Sequence, residues 1–141
     1  MTHFFVDTNV LLDFIMRRPP FAVAAAELFQ LAEDRGIGLY CSSLSFSQAH
    51  YVLRKVIGSS KAQDLLVDIA DLVTIVAVDS RTVNDALRSS FSDFEDALQY
   101  FAATARTGAT IEAIVTRDSK GFAAGMLPVL TPLEALARLS S

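Results

Sequence analysis

Two rhythms of apolar positions run along the chain: short unbroken apolar runs, and longer stretches with apolar residues three and four apart. The first predicts strands buried on both faces, the second amphipathic helices. Phe4-Phe5-Val6 is the first run, and it stops abruptly at Asp7. A short helix over Asn9 to Arg17 follows, ended by Arg17-Arg18-Pro19-Pro20, because the residue before a proline is pushed out of the helical region. Phe21 to Arg35 carries Ala24, Leu28 and Leu31 at helical spacing, with Gly36 as its C′ residue, and Ile37 to Cys41 is the second strand. Ser45-Phe46-Ser47-Gln48 has the form of a capping box, with Ser45 as N-cap and Gln48 at N3. The helix it opens has Phe46, Ala49, Leu53 and Val56 as its stripe and Gly58 as its stop. Ser60-Lys61-Ala62-Gln63 repeats the capping pattern before Leu65, Leu66, Ile69 and Leu72.

Val73 to Val78 is the third strand, and Asp79 or Ser80 starts a helix through Val83, Ala86 and Leu87. Ser92-Asp93-Phe94-Glu95 is a further capping box, for a helix lined by Phe94, Ala97, Leu98, Phe101 and Ala105 and closed by Gly108. Ile111 to Thr116 makes the fourth strand, Pro128-Val129-Leu130 a short edge strand, and Thr131-Pro132-Leu133-Glu134 caps a last helix, Leu133 to Leu139. Strands alternating with helices imply a parallel sheet with right-handed crossovers, covered on both faces.

Composition narrows the function classes more than the fold. With 141 residues, 52% of them hydrophobic, the chain is one domain, 1–141, able to bury a core without disulfides or metal staples. Its single cysteine, Cys41, lies in an apolar run and reads as a buried hydrophobe in a reducing compartment. His50 falls within an apolar stripe and reads as a core or subunit-contact residue. Met1-Thr2-His3 does not resemble a signal peptide, and no apolar run reaches membrane-spanning length, so a cytoplasmic protein without membrane contact is expected. The net charge of −4 supplies no overall basic field for nucleic acid; divalent cations in an acidic pocket could reverse the local sign.

Asp7 fits two readings, an acid at the carboxyl edge of a strand, where α/β sheets bind ligands, and the N-cap of the helix that follows. If strands one and four are neighbours, Asp118 emerges at the same edge. The helix opening near Ser92 runs into strand four, so Asp93 and Asp96, three residues apart on one face, could look toward Asp7. Acids at a helix start also favour its dipole, which accounts well for Glu95. It does not account for acids after strand one and strand four as well. Carboxylates gathered in one cleft repel unless a proton or cation lies among them, and all-oxygen ligands select Mg²⁺ or Mn²⁺.

These residues resemble one family. Val6-Asp7-Thr8-Asn9-Val10-Leu11-Leu12-Asp13, Asp93-Phe94-Glu95-Asp96-Ala97-Leu98-Gln99 and Val115-Thr116-Arg117-Asp118 with Phe122 are similar to the PIN-domain ribonucleases, VapC-like toxins of type II toxin–antitoxin pairs among them. The resemblance spans nearly the whole chain. It implies a three-layer α/β/α sandwich with a central, mainly parallel sheet of four to five strands, binding Mg²⁺ or Mn²⁺ and cleaving single-stranded or loop RNA. Asp7, Asp96 and Asp118 would be the catalytic and metal-site acids, with Asn9 supporting the first. A homodimer and a cognate antitoxin partner are implied too. One position departs: where the family commonly has an acid, this chain has Gln48, whose amide oxygen can coordinate Mg²⁺ but adds no charge and accepts no proton as a base. Asp93 could compensate.

Arg17, Arg18, Arg54, Lys55, Arg117 and Lys120 are the candidate RNA contacts. The competing reading is a catalytically weakened PIN-like module that binds RNA or protein, favoured by Gln48. A phosphotransfer domain also puts an Asp at a strand end, but a receiver needs an acidic pair after strand one. The aspartyl phosphatase motif needs an acid two residues after the nucleophile, where this chain has Asn9.

Overall fold

A computed structural model describes residues 1–105 and 108–140. It is an α/β fold whose central sheet has five strands, all parallel: β1 (Thr2–Val6), β2 (Ile37–Ser42), β3 (Thr74–Val76), β4 (Ala113–Val115) and β5 (Val129–Leu130). Their order is β3-β2-β1-β4-β5. Around it lie α1 (Thr8–Met16), α2 (Ala22–Glu33), α3 (Ser43–Ile57), α4 (Ser59–Leu72), α5 (Ser80–Leu87), α6 (Phe94–Ala103) and α7 (Pro132–Ser140). No helix of the described residues is long and apolar enough to cross a membrane.

Period-two alternation along the strands sends their side chains into a core on each face of the sheet, and a smaller cluster of Ala86, Ala97 and Leu98 joins α5 to α6. Phe4, Val6, Leu39, Cys41, Ala113 and Val115 face α1, α2, α3, α4 and α7, burying Leu11, Leu28, Phe29, Leu53 and Ala135. Phe5, Tyr40, Val76 and Ile114 face the other way, against Tyr100, Ala103 and Phe122. Phe4, Phe5 and Val6 are completely buried, so the central strand alone contributes about 1.5–3 kcal/mol per side chain from apolar burial. Cys41 is buried and free, and burial pushes its thiol up to about 12, with the nearby Asp7 charge adding to the effect.

Several helix ends differ from the sequence expectation. Helix α3 starts earlier than Ser45: Ser42 is the cap, and its hydroxyl accepts from Ser45 N at 3.1 Å. Gly58, with φ +85, ends α3 and directly precedes α4, so Ser60 is not a cap. Arg35, not Gly36, takes the left-handed position after α2 (φ 60), while Gly36 N bonds Leu31 O at 2.8 Å in a Schellman-type closure. Asp93, not Ser92, caps α6, and that helix ends at Ala103; positions 106 and 107, ahead of Gly108, lie outside the described residues. The Thr131/Glu134 capping box forms as read, with reciprocal bonds of 3.2 and 2.9 Å. Strand three is shorter than Val73 to Val78, since beyond Val76 the chain turns away and Val78 N bonds Ser43 Oγ at 3.0 Å.

The strand order fixes where a site can form. From β1 the chain proceeds outward through β2 to β3, then returns past β1 to β4 and β5. Crossovers therefore leave β1 and β4 toward opposite faces, and a crevice opens at their carboxyl ends.

Candidate functional site

Asp7 stands at that crevice, immediately after β1 at the carboxyl edge of the sheet, and is also the N-cap of α1. Its backbone N–H bonds Val115 O at 2.9 Å, which ties the end of β1 to β4. As N-cap of α1 its Oδ1 accepts from Thr8 N at 2.8 Å, and its Oδ2 accepts from Thr116 Oγ1 at 2.8 Å. Asn9 Nδ2 donates to Oδ2 at 3.4 Å and to Thr116 Oγ1 at 3.3 Å, and Asn9 Oδ1 accepts from Arg117 N at 3.3 Å. Thr116 thus has one proton committed to Asp7 and accepts from Asp118 N at 3.1 Å, joining the two strand-end acids through one hydroxyl. Burial raises the Asp7 carboxyl above its ordinary value, its hydrogen bonds oppose the shift, and the charges of Asp118 and Asp93 add to it.

Asp96 enters from α6. Its carboxyl is raised to about 6, first by desolvation and then by Asp93, Asp7, Asp118 and Glu95. Among the described residues no protein donor reaches that carboxylate. It lies instead against the backbone of Gly121, where an added Cβ would overlap Oδ2 and stand 3.0 Å from Cγ. Asp93 uses one oxygen to cap α6, accepting from Asp96 N at 2.9 Å. Asp7, Asn9, Gln48, Glu95, Asp96, Gln99, Arg18 and Arg117 are among the residues lining one cleft of about 760 Å³. Asp93 and Asp118 are exposed and stand outside its lining, though their charges act on Asp7 and Asp96.

Gln48 has a different task from the capping one expected of it. Its Oε1 accepts from Thr8 Oγ1 at 2.6 Å and its Nε2 donates to Glu95 Oε2 at 2.8 Å, with the amide orientation set by this network. Beneath it, Gln99 is 2% exposed: Nε2 donates to Ser45 Oγ at 2.9 Å and Thr8 Oγ1 at 3.1 Å, while Oε1 accepts from Ser42 Oγ at 2.7 Å. These bonds fasten α1, α3 and α6 together below the acids. Gln99 was readable only as the one polar residue in Ala97–Ala103 apart from Tyr100, three positions after Asp96.

Of the six cations singled out in the sequence, only Arg18 and Arg117 line the cleft. Arg54 and Lys55 lie over the Tyr51 ring, at 5.1 and 4.0 Å from its centroid. His50 is half-buried, with Nε2 at 3.4 Å from Ser59 Oγ.

The donor set is oxygen throughout, which suits a hard cation. No three acids of the described residues converge closely enough to cage an ion. Mg²⁺ does not need a cage, since it keeps several waters and takes one or two carboxylates. The undonated Asp96 carboxylate beside Gly121 and the bound Asp7 fit that demand.

A parallel α/β fold with acids after the two strands that flank its switch point, and a third opening the helix between them, defines an acidic-site class of domain. Residues 3–120 match the family model described as PIN domain, and the chain belongs to that family. No curated protein matches it by sequence. Solved structures with the same fold include VapBC2 from Rickettsia felis, bound to a DNA fragment from its promoter, with 17% identity, a TM-score of 0.67, and coverage of 92% of this chain and 98% of the other. DNA-bound VapBC from Salmonella typhimurium is similar at 15% identity and TM-score 0.69, covering 94% and 99%. VapC20 of Mycobacterium tuberculosis, a toxin that cleaves the sarcin–ricin loop, is similar at 19% identity and TM-score 0.65, covering 90% and 98%.

Proposed function

We propose that this chain is a single-domain, divalent-cation-dependent endoribonuclease that hydrolyses single-stranded or loop RNA, acting as the toxin of a toxin–antitoxin pair. The observation that carries the reading is the placement of Asp7 and Asp96 in one cleft at the switch point, where burial first, and then the charges of Asp93, Asp7 and Asp118, hold Asp96 against ionisation. Membership of the PIN family and the toxin neighbours support it. Asp7 and Asp96 would hold Mg²⁺ or Mn²⁺ directly, with Asp118 as the third site acid acting at the cleft edge by its charge or through a water, and the bound ion would supply positive charge for the phosphoryl group and acidify water. Thr116 and Asn9 orient Asp7, Gly121 leaves room for Asp96, and Asp93 fixes the start of α6. An antitoxin and a second copy of the chain are proposed as partners, and the cytoplasm as the site of action.

The second reading, an RNA- or protein-binding module with weakened chemistry, is favoured by Gln48, whose amide is engaged by Thr8 and Glu95. One experiment separates them: cleavage of labelled structured RNA by highly purified protein in Mn²⁺, Mg²⁺ or EDTA, beside Asp7→Asn and Asp96→Asn prepared identically. Metal-dependent cleavage lost in both variants supports the nuclease. Wild-type cleavage no greater than that of the variants, from folded protein on several RNAs, leaves the binding module.

A further inference from the structure

We infer that Asp13 is a positioning residue, holding Arg18 and Arg117 as an oriented two-armed clamp for a phosphate of the RNA; the inference rests on the ribonuclease reading above. Asp13 lies on α1 and is 0% exposed. Its Oδ1 accepts from Arg18 Nε at 2.8 Å. Arg117 Nε stands 2.7 Å from Oδ2 as an ion pair, but its N–H is not aligned for a hydrogen bond, and Oδ2 has no hydrogen-bond partner. A buried carboxylate flanked by Leu11, Leu12 and Phe14 is a poor way to gain stability, because its desolvation offsets most of the attraction. What it does achieve is orientation.

Both guanidinium groups turn their Nε inward to one carboxylate, from opposite ends of the chain. Arg117 is further constrained, since its guanidinium lies over the Phe21 ring at 4.2 Å and its backbone N–H bonds Asn9 Oδ1 at 3.3 Å. Arg18 Nη2 reaches Asn9 O at 3.5 Å. Among the described residues the terminal N–H groups of Arg117 bond no protein acceptor, and both arginines line the cleft that holds Asp7 and Asp96. Two arginines and one aspartate leave one net positive charge beside an acidic pocket. A planar fork with its terminal donors free matches two phosphate oxygens, which a lysine ammonium cannot do.

The test compares wild type with Asp13→Asn, Arg117→Lys and the double variant, reading KM and kcat separately on a labelled single-stranded RNA in Mn²⁺. Asp13→Asn makes the neighbourhood one unit more positive, so arginines acting as loose charge would bind RNA more tightly and KM would fall. An oriented clamp gives the opposite result: KM rises about tenfold with kcat little changed. Arg117→Lys, which keeps the charge but loses the fork, raises KM in the same way, and the double variant adds little beyond either single change. If Asp13→Asn does not fold, as its melting curve would show, Arg117→Lys decides alone. An unchanged or lowered KM in a folded variant overturns the clamp while leaving the nuclease intact. Absence of metal-dependent cleavage in the wild type sinks the ribonuclease reading itself, a different outcome.

Discussion

Asp96→Asn should make the metal-free protein more stable while removing its response to the cation. Asp96 is raised from 3.8 to about 6, with desolvation as the first cause and four neighbouring acids behind it. At about 1.4 kcal/mol per unit, the ionised carboxylate costs about 3 kcal/mol before screening, and partial exposure to solvent reduces this to about 1–2 kcal/mol. Asn forgoes the favourable interaction of a first-turn acid with the α6 dipole, about 0.3–1 kcal/mol. The net gain is about 1 kcal/mol, or a rise of about 2–4 °C in Tm for a chain of this size. The pH dependence follows from the direction of the shift. A carboxyl that binds its proton more tightly when folded favours the fold below 3.8, and that advantage is lost as pH rises through about 6. Asp7, raised by burial, contributes with the same sign. Thermal melts in EDTA should therefore show the wild type losing stability from about pH 4 to about pH 6 more steeply than Asp96→Asn. Added Mn²⁺ should raise the wild-type Tm and leave the variant nearly unchanged. A variant that melts below wild type in EDTA, or that gains as much from Mn²⁺, would refute the claim that Asp96 is a strained acid awaiting a cation.

Three further substitutions probe the same cleft. Gly121→Ala places a Cβ where the Asp96 carboxylate lies, and since that side-chain end can swing aside, Tm should stay within about 2 °C while RNA cleavage falls at least about tenfold; unimpaired cleavage would mean that Asp96 tolerates displacement. Thr116→Val leaves the Asp7 Oδ2 with only the 3.4 Å bond from Asn9, so urea unfolding should show a loss of about 1–3 kcal/mol, and a neutral result would contradict the role given to that hydroxyl. Gln48→Glu sets a carboxylate where the amide now donates to Glu95 at 2.8 Å; the Tm in EDTA should drop near neutral pH and the rise on adding Mn²⁺ should exceed that of wild type, whereas an unchanged EDTA melt would show that the two side chains separate freely.

The alternation of apolar runs and stripes carried the strands and helices, because burial on both faces demands it wherever a parallel sheet forms. Cap positions were less legible. In Ser42-Ser43-Leu44-Ser45-Phe46-Ser47 four serines compete, and the capping box favours Ser45, yet the cap is fixed by where β2 stops pairing, at Ser42 opposite Val76. At α6 the charged acceptor Asp93 takes the place of Ser92, since a carboxylate is the stronger partner for exposed helix N–H groups. Arg35 rather than Gly36 adopts the left-handed turn, with nothing in the local sequence to mark it. In the site, the acids announced themselves by sitting after strands one and four. Thr116, Gln99 and Gly121 did not, for their importance comes from partners about 110, 91 and 25 positions away, contacts that only the folded topology supplies.

Gln99 also sets how the cleft can move. One buried amide side chain grips α1, α3 and β2 at once from its place on α6, so the walls formed by α1, α3 and α6 cannot separate without breaking several hydrogen bonds together. The crevice is in this respect a vise without a screw. On the ribonuclease reading, a bound strand would have to bend to its shape, and selection among RNAs would fall on how readily each can deform.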